Sequence, residues 1–259
     1  VNLLAGMPAI VKPATVSSYL TEVVVKDIIV SGILPEGSLQ LICGSARDLL
    51  NNVTSQDVVT FTGSATTGRM LRANPRMIEE SVPFNMEADS LNCSVLGLDA
   101  KPGTPDFDIF IKEVHREMTA KCGQKCTAIR RLIVPENYLD EVKKALALRL
   151  EKTIIGNPLD EEVRMGALVG RTQLSEVKEK VADLAKLTPI VYGDLNMVNL
   201  VGVDASCGSF MSPILMLNER PFDYLQSHEI EVFGPVSTLI PYKDIDEAIS
   251  ILHSPEFIA

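Results

Sequence analysis

Residues 121–135, KCGQKCTAIRRLIVP, place Cys126 between a glycine-containing loop and a run with the composition of a strand. A cysteine is a nucleophile as the thiolate, and its pKa falls below about 8.5 where backbone N–H groups, a helix terminus or a cation stabilise the anion. Gly123 lets the backbone turn and approach other backbone closely. The segment predicts a nucleophilic cysteine in a tight loop. The alternative interpretation of a single cysteine is a small buried apolar residue.

A second candidate site is the pair Gly63-Ser64, which follows the predicted strand 58–62 and precedes a helix predicted from about Arg69. The free N–H groups and the positive dipole end of a helix N-terminus can bind a phosphate. Many α/β loops use glycine only to turn the chain, so the residues alone leave both interpretations open.

The elements that must position these candidates alternate between strands and helices. Before residue 89 we predict strands at 9–12, 39–43, 58–62 and 82–88, and helices at 17–31 and 46–51. Such alternation implies right-handed crossovers and a mainly parallel sheet. The chain is therefore predicted to be α/β, and its first third has the organisation of a nucleotide-binding domain.

The rest of the chain continues the α/β pattern. Periodicity predicts a strand at 131–134 and helices at 108–121, 138–151, 172–186 and 242–253. The helix at 172–186, rich in Glu and Lys, is predicted to be an amphipathic surface helix with solvated charges.

Composition bounds the class of protein. With 259 residues, 46% of them hydrophobic, the chain can bury a substantial core. The net charge of −10 disfavours a nucleic acid partner, because phosphate binding needs clustered Lys and Arg. The apolar runs stay short of the roughly 20 residues that a membrane span needs, and no signal peptide pattern is visible. We expect neither nucleic acid nor membrane as a partner.

The number and spacing of the cysteines indicate the cellular compartment and whether a metal site is expected. Five cysteines without regular spacing are typical of a reducing compartment, so we expect a cytoplasmic protein. Cys122, Cys126 and His115 could form a metal or redox site, but no second pair has zinc spacing, and we predict no metal. The other three cysteines are predicted to be buried apolar residues: Cys43, Cys93 and Cys207.

Four segments together resemble the motifs of the aldehyde dehydrogenase superfamily. GQKCTA at residues 123–128 is similar to its nucleophile signature, Gly-Gln-x-Cys-x-Ala, and EVFGPV at 231–236 is similar to its Glu-x-Phe-Gly-Pro-Val. FTGSATTG at 61–68 and VKPA at 11–14 are similar to its cofactor-binding segments. Because the four occur in the family's order, the chain is identified as a member of the superfamily.

The resemblance implies a domain organisation. Residues 1–88 would be the C-terminal part of a Rossmann-type NAD(P)-binding domain, and residues 89–259 an α/β catalytic domain truncated at its C-terminus. Both ends look like cuts, so we expect an internal fragment of a longer protein. The family's oxyanion-hole asparagine lies upstream of the Lys12 segment, and loss of one such donor typically costs about 10²- to 10³-fold in rate. We expect weak or no turnover from this chain alone.

The resemblance also assigns cofactor-binding residues. Lys12 would contact the adenosine ribose, Gly63 and Ser64 would form the phosphate turn, Glu231 would bind the nicotinamide ribose, and Phe233 would pack near the nicotinamide. The implied cofactor is NAD or NADP. Three residues after the lysine, NAD-specific members often carry a glutamate, where this chain has Thr15. Threonine neither repels nor crowds a 2′-phosphate, so we expect NADP to be accepted at Thr15.

The implied reaction is oxidation of an aldehyde to a carboxylic acid. The Cys126 thiolate attacks the aldehyde, hydride leaves for the nicotinamide, and a thioester remains on Cys126. Glu87, which would otherwise be a solvated carboxylate at a strand end, corresponds to the family's general base and would activate water. That base favours hydrolysis over acyl transfer to coenzyme A.

One departure from the family pattern points to a branch. The family's base lies in Glu-Leu-Gly-Gly, whereas this chain has Glu87-Ala88-Asp89-Ser90 and lacks the glycine pair. PFNMEADSLNC at residues 83–93 resembles the aldehyde dehydrogenase half of bifunctional phenylacetate-degradation proteins, whose other half is a hydratase. The branch implies a semialdehyde linked to coenzyme A, a hydratase domain as partner and, we expect, a homo-oligomer. A generic free aldehyde, a catalytically inert scaffold and a redox protein built on Cys122 and Cys126 are the alternatives.

Overall fold

The structure, a computed structural model, describes residues 2–253, and the chain divides into two units between Asp89 and Ser90. Helices in the first unit are α1 (Ser18–Val30), α2 (Ala65–Arg72) and α3 (Pro75–Glu79), and its strands are β1 (Ala9–Val11), β2 (Leu39–Leu41), β3 (Val59–Gly63) and β4 (Phe84–Ala88). Short 3₁₀ turns at Leu3–Ala5, Thr15–Ser17 and Leu49–Asn52 complete it.

The strands of the first unit form two parallel pairs, β1 with β2 and β3 with β4. Helix α2 lies directly on the second pair, because a Cβ at Gly68 would be 2.3 Å from the Met86 sulfur and 3.2 Å from the Phe61 ring. The helix begins four residues before the predicted position, since Ser64 caps it by accepting a hydrogen bond from the Thr67 N–H. The predicted helix at 46–51 is only a 3₁₀ turn.

The second unit has a larger set of elements. Its helices are α4 (Pro105–Thr119), α5 (Leu139–Glu151), α6 (Arg171–Leu184), α7 (Gln226–Glu229) and α8 (Ile245–Leu252). Its strands are β5 (Cys93–Val95), β6 (Arg131–Pro135), β7 (Ile155–Gly156), β8 (Ile190–Tyr192), β9 (Leu200–Val201), β10 (Ile214–Leu217) and β11 (Val236–Tyr242). Three 3₁₀ turns are Ala120–Gly123, Glu136–Tyr138 and Ala205–Cys207.

A five-stranded sheet in the order β5-β6-β11-β10-β8 organises the second unit, and only β8 runs antiparallel to its neighbour. Alternate residues of β6 serve different cores: Leu132 and Val134 pack with α4 and α5, whereas Ile133 packs with α8. Helix α6 covers a further core through Val177 and Val181. Burial on both faces explains why these strands read as continuous apolar runs.

Two predicted helix boundaries were wrong because caps decide them. Helix α4 begins at Pro105, where Thr104 accepts the Phe107 N–H and proline suits the first turn. The predicted helix 242–253 consists of the end of β11 followed by α8. Helix α8 begins only at Ile245, because Asp244 caps it by accepting a hydrogen bond from the Glu247 N–H at 2.9 Å. In residues 2–253, no helix has both the length and the apolar character that crossing a bilayer requires.

Candidate functional site

The loop that carries Cys126 begins where α4 ends and has an unusual backbone. Lys121, Cys122 and Gly123 have successive positive φ angles of 53°, 54° and 67°. For a residue with a side chain this left-handed conformation costs roughly 1–2 kcal/mol. At Gly123 the absence of a side chain is obligatory, because a Cβ would lie 2.1 Å from the Gly234 carbonyl oxygen. The close backbone approach predicted for Gly123 is therefore confirmed.

The two cysteines of this loop have opposite environments. Cys126 is exposed, whereas Cys122 is buried, and burial raises the pKa of the Cys122 thiol to about 12. Cys122 is thus a neutral apolar side chain, and Cys126 is the accessible thiol. The prediction of buried positions was wrong for Cys43 and Cys207, which are exposed, and Cys93 is only partly buried. Apolar neighbours in sequence did not reveal which face of a short element each thiol occupies.

Two side chains hold the carbonyl group of Cys126. The Ser90 hydroxyl donates to it at 2.6 Å, and the Asn92 amide donates to it at 2.7 Å and to the Ala128 carbonyl at 3.3 Å. These contacts fix the peptide that follows the thiol. The sequence reasoning missed both residues, although the replacement of the family's second glycine by Ser90 was a signal.

The residues before Cys126 are also anchored. Lys125 forms an ion pair with Glu117 of α4, with its Nζ 2.6 and 2.7 Å from the two carboxylate oxygens, and Glu117 is only 8% exposed. The Gln124 side chain accepts from the Val169 N–H at 2.9 Å and donates to the Lys121 carbonyl at 3.0 Å. The loop is therefore anchored by side-chain contacts on both sides of the thiol.

The segment 231–234 contacts the cysteine loop within the second unit. Glu231 is buried and lies 3.8 Å from the guanidinium of Arg130, while Phe233 is half-buried with its ring centroid 5.7 Å from the same group. Helix α6 supports the segment, because Lys180 donates to the Glu231 carbonyl at 2.8 Å and Gln173 to the Phe233 carbonyl at 2.9 Å. Helix α6 is the amphipathic surface helix that the sequence predicted, and these two polar side chains also have backbone partners.

The first unit collects the other candidates at the carboxyl ends of its strand pairs. In the β3–β4 register, Thr62 pairs with Glu87 and Gly63 with Ala88, so the exposed Glu87 lies beside the Gly63-Ser64 turn. A different pair, β1–β2, leads to the exposed Lys12 and Thr15, and the Lys12 ammonium donates to the Pro13 carbonyl at 3.0 Å.

The N-terminus of α2 is partly occupied by the chain itself. Asp89, with a φ of 43°, accepts the Ala65 N–H at 3.1 Å, and Ser64 accepts the Thr67 N–H at 3.3 Å. The Thr66 N–H has no hydrogen-bond partner within residues 2–253. Packing accounts for Gly63, where a Cβ would be 2.6 Å from the Phe61 ring.

The donor types in the first unit fit a dinucleotide. An exposed ammonium (Lys12), exposed hydroxyls (Thr15 and Ser64) and a free helix N-terminal N–H (Thr66) are groups that bind ribose and phosphate oxygens. Across the described part of the chain, no cluster of three His, Cys, Asp or Glu side chains could hold a metal ion. An exposed thiol on a glycine-dependent loop is an arrangement in which a cysteine can act as a nucleophile.

A model of the aldehyde dehydrogenase family matches residues 1–257. The 3,4-dehydroadipyl-CoA semialdehyde dehydrogenase of Aromatoleum evansii is 43% identical over 249 residues, which are 96% of this chain and 48% of that protein. The 1-pyrroline-5-carboxylate dehydrogenase of Staphylococcus epidermidis is 26% identical over 260 residues, which are 98% of this chain and 48% of that protein. The chain thus spans about half the length of the curated relatives it matches.

Solved structures agree in fold. A betaine aldehyde dehydrogenase from Staphylococcus aureus, solved with NAD⁺, matches with a TM-score of 0.81 at 24% identity and covers 94% of this chain and 46% of that one. An aldehyde dehydrogenase from Pseudomonas syringae, solved with NAD⁺ and octanal, gives 0.79 at 24% identity over 95% of this chain and 49% of that one. This chain belongs to the aldehyde dehydrogenase family.

Proposed function

We propose that the protein containing this chain oxidises an aldehyde to a carboxylic acid with NAD⁺ or NADP⁺. The observation that carries the proposal is the exposed Cys126 thiol on a loop whose flanking peptides are held by side-chain hydrogen bonds. Membership of the family supports the same chemistry. Lys12, Thr15, Gly63, Ser64, Glu231 and Phe233 are the residues that would hold the dinucleotide.

Cys126 performs the first step. Its thiolate adds to the aldehyde carbon, and the resulting oxyanion can be stabilised by the Cys126 N–H, which makes no hydrogen bond within residues 2–253. When bound, the nicotinamide dinucleotide supplies a hydride acceptor. Loss of hydride from the substrate carbon leaves a thioester on the Cys126 sulfur.

Glu87 performs the second step. An ionised carboxylate takes a proton from water, the resulting hydroxide adds to the thioester, and the Cys126 thiolate leaves as the acid is released. Glu87 is exposed at the carboxyl end of β4, which suits a group that must meet solvent water. The presence of this base favours hydrolysis over transfer of the acyl group to coenzyme A.

The proposed substrate is a semialdehyde linked to coenzyme A. Its support is the 43% identity to a 3,4-dehydroadipyl-CoA semialdehyde dehydrogenase, together with the segment PFNMEADSLNC at residues 83–93. Phenylacetate catabolism and a hydratase domain in the same protein belong to this proposal. The test measures kcat/KM for a CoA-linked semialdehyde and for the matching free semialdehyde. A higher value for the CoA-linked compound supports the proposed substrate over a generic free aldehyde, and equal values contradict it.

We also propose a cytoplasmic homo-oligomer. The cysteines of the described residues form no disulfide, which suits a reducing compartment. Helix α1 exposes several apolar side chains, a surface that a second copy or the remainder of the natural protein would cover: Tyr19, Leu20, Val23, Val24, Ile29 and Val30. Light scattering of the natural protein tests this, and a monomer at all concentrations contradicts it.

The test of the chemistry is the alkylation rate of each cysteine, resolved by peptide mass spectrometry, without nucleotide and with NAD⁺ or NADP⁺. We expect Cys126 to react fastest and the nucleotide to change its rate. Cys43 and Cys207 are internal controls because their thiols are also exposed. Equal rates for all three, insensitive to nucleotide, contradict the proposal.

A further inference from the structure

Arg130 is a buried guanidinium that hydrogen-bonds to two separate segments. It is 4% exposed, its Nη1 donates to the Gly234 carbonyl at 2.6 Å, and its Nη2 donates to the Gly123 carbonyl at 2.7 Å. Gly123 lies in the cysteine loop and Gly234 in the segment 231–234. The Arg130 side chain therefore links the cysteine loop to the segment 231–234, which is proposed to bind the nicotinamide half of the dinucleotide.

The same side chain reaches the peptide bond that precedes the thiol. Its Nη2 lies 3.5 Å from the Lys125 carbonyl oxygen, the outer limit of a hydrogen bond. That carbonyl belongs to the peptide whose N–H is the Cys126 N–H, the proposed oxyanion donor. A movement of the guanidinium would therefore tilt this donor.

The Arg130 guanidinium also lies near side chains of the segment 231–234, but one of its N–H groups forms no hydrogen bond there. Its Nε lies 3.8 Å from the Glu231 carboxylate, too far for a hydrogen bond, and the Nε–H has no acceptor in the described residues. Its central carbon lies 5.7 Å from the Phe233 ring centroid. A small shift of Glu231 or Phe233 would change the position of the guanidinium. A buried donor without an acceptor gains free energy by forming a hydrogen bond, so the Nε–H would follow Glu231.

Direct backbone contact stiffens this connection. The Gly123 and Gly234 backbones touch with no side chain between them, as a Cβ at Gly123 would lie 2.1, 2.5 and 2.8 Å from Gly234 O, Gly234 C and Pro235 Cα. Close-packed groups of this kind transmit displacement because they have no free volume to absorb it.

We propose that Arg130 is a positioning residue that couples nucleotide binding at residues 231–234 to the reactivity of Cys126. This inference rests on the proposed function, since it assumes that Glu231 and Phe233 bind the dinucleotide. Arg130 touches neither the aldehyde nor the thiol. It acts by setting the orientation of the peptides that surround Cys126.

The first test measures Cys126 alkylation by iodoacetamide across a pH series in the natural protein, with and without saturating NADP⁺. Arg130→Lys keeps the charge and loses the two-armed contact, and Arg130→Met removes both. The exposed Arg149→Met is the matched control. We expect NADP⁺ to change the alkylation rate of Cys126 about fivefold or more in the wild type and the control. In the Arg130 variants, NADP⁺ should still bind but change that rate by less than about twofold. A full nucleotide effect in both Arg130 variants overturns the inference.

A second measurement needs no variant and covers the case in which both Arg130 variants misfold. Hydrogen exchange of the wild-type protein should show that NADP⁺ protects amides in residues 121–126 together with those in 231–236. Protection of 231–236 alone overturns the coupling but leaves the proposed function intact. Failure of both NAD⁺ and NADP⁺ to bind, with Cys126 no faster than Cys43, instead overturns the proposed function.

Discussion

The Asn92 side chain donates a hydrogen bond of 2.7 Å to the carbonyl oxygen of Cys126, 34 residues further along the chain. With the 2.6 Å bond from Ser90, it fixes the peptide that follows the thiol. Arg130 contacts the peptide that precedes it. The backbone on both sides of Cys126 is therefore held by side chains outside the loop.

Removal of this clamp should slow the chemistry at Cys126. For Asn92→Ala we expect acylation of Cys126 to slow about fivefold, the effect of losing roughly 1 kcal/mol of hydrogen bonding. Rapid-mixing kinetics of the first turnover of the natural protein measures it, with the exposed Asn137→Ala as control. Ser90→Ala with Asn92→Ala should cost more than the sum of the single effects, because each donor supports the same carbonyl. An unchanged rate in the double variant contradicts the role.

The Gly123 backbone contact should make this position intolerant of any side chain. Gly123→Ala is expected to lower the free energy of unfolding by roughly 3 kcal/mol or more, since overpacking adds to left-handed strain. Gly103→Ala is the matched control, because its φ is 88° and nothing lies within 4 Å of its Cβ position. That variant should lose only about 1 kcal/mol. Urea denaturation compares the two, and equal losses would show that strain alone matters.

The two loop thiols should respond differently to a thiol reagent. Because burial raises the pKa of Cys122 to about 12, Cys122 should stay unmodified in the native protein near neutral pH and react only after denaturation. Cys122→Ala should leave the alkylation rate of Cys126 within about twofold. Rapid modification of native Cys122, measured by peptide mass spectrometry, would show that the loop opens.

The stability of the second unit should fall in mild acid because of His228. This residue is 2% exposed, its Nδ1 lies 3.0 Å from an Arg131 guanidinium nitrogen, and its Nε2 lies 3.1 Å from the Pro221 carbonyl. These contacts fit a neutral ring that accepts at Nδ1 and donates at Nε2. Burial, and then the Arg131 charge, lower the pKa of His228 below its usual 6.5.

The sign of the effect follows from proton binding. As pH falls through 6.5, the unfolded chain takes up a proton at this histidine before the folded chain does, so the free energy of unfolding decreases. Urea denaturation at about pH 7.5 and 5.5 measures the loss. His228→Gln should show a smaller loss than the wild type. The residual loss includes His115, whose pKa is lowered by burial and then by Arg149. An equal pH dependence in the variant contradicts the role of His228.

Local patterns predicted what local chemistry decides. The α/β class, the four strands of the first unit and the close approach of Gly123 follow from periodicity and from glycine's lack of a side chain. Of the seven strands that the described residues form in the second unit, only β6 was predicted. The starts of α2 and α4 were misplaced because single caps, Ser64 and Thr104, set them. The partners in tertiary contacts were not predicted. Arg130 meets the Gly234 carbonyl across 104 positions, and no short pattern in the sequence encodes such a pairing.

The separation of the first unit into two parallel strand pairs has a consequence for handling the isolated chain. Each pair presents outer N–H and C=O groups, which template the addition of further strands, and the apolar side chains exposed on α1 favour contact with other molecules. Solubility should therefore be limited by the first unit, with self-association that rises steeply with concentration. Pairing of strand edges between molecules would be fastest when the isolated chain is stored at high concentration without a denaturant such as urea.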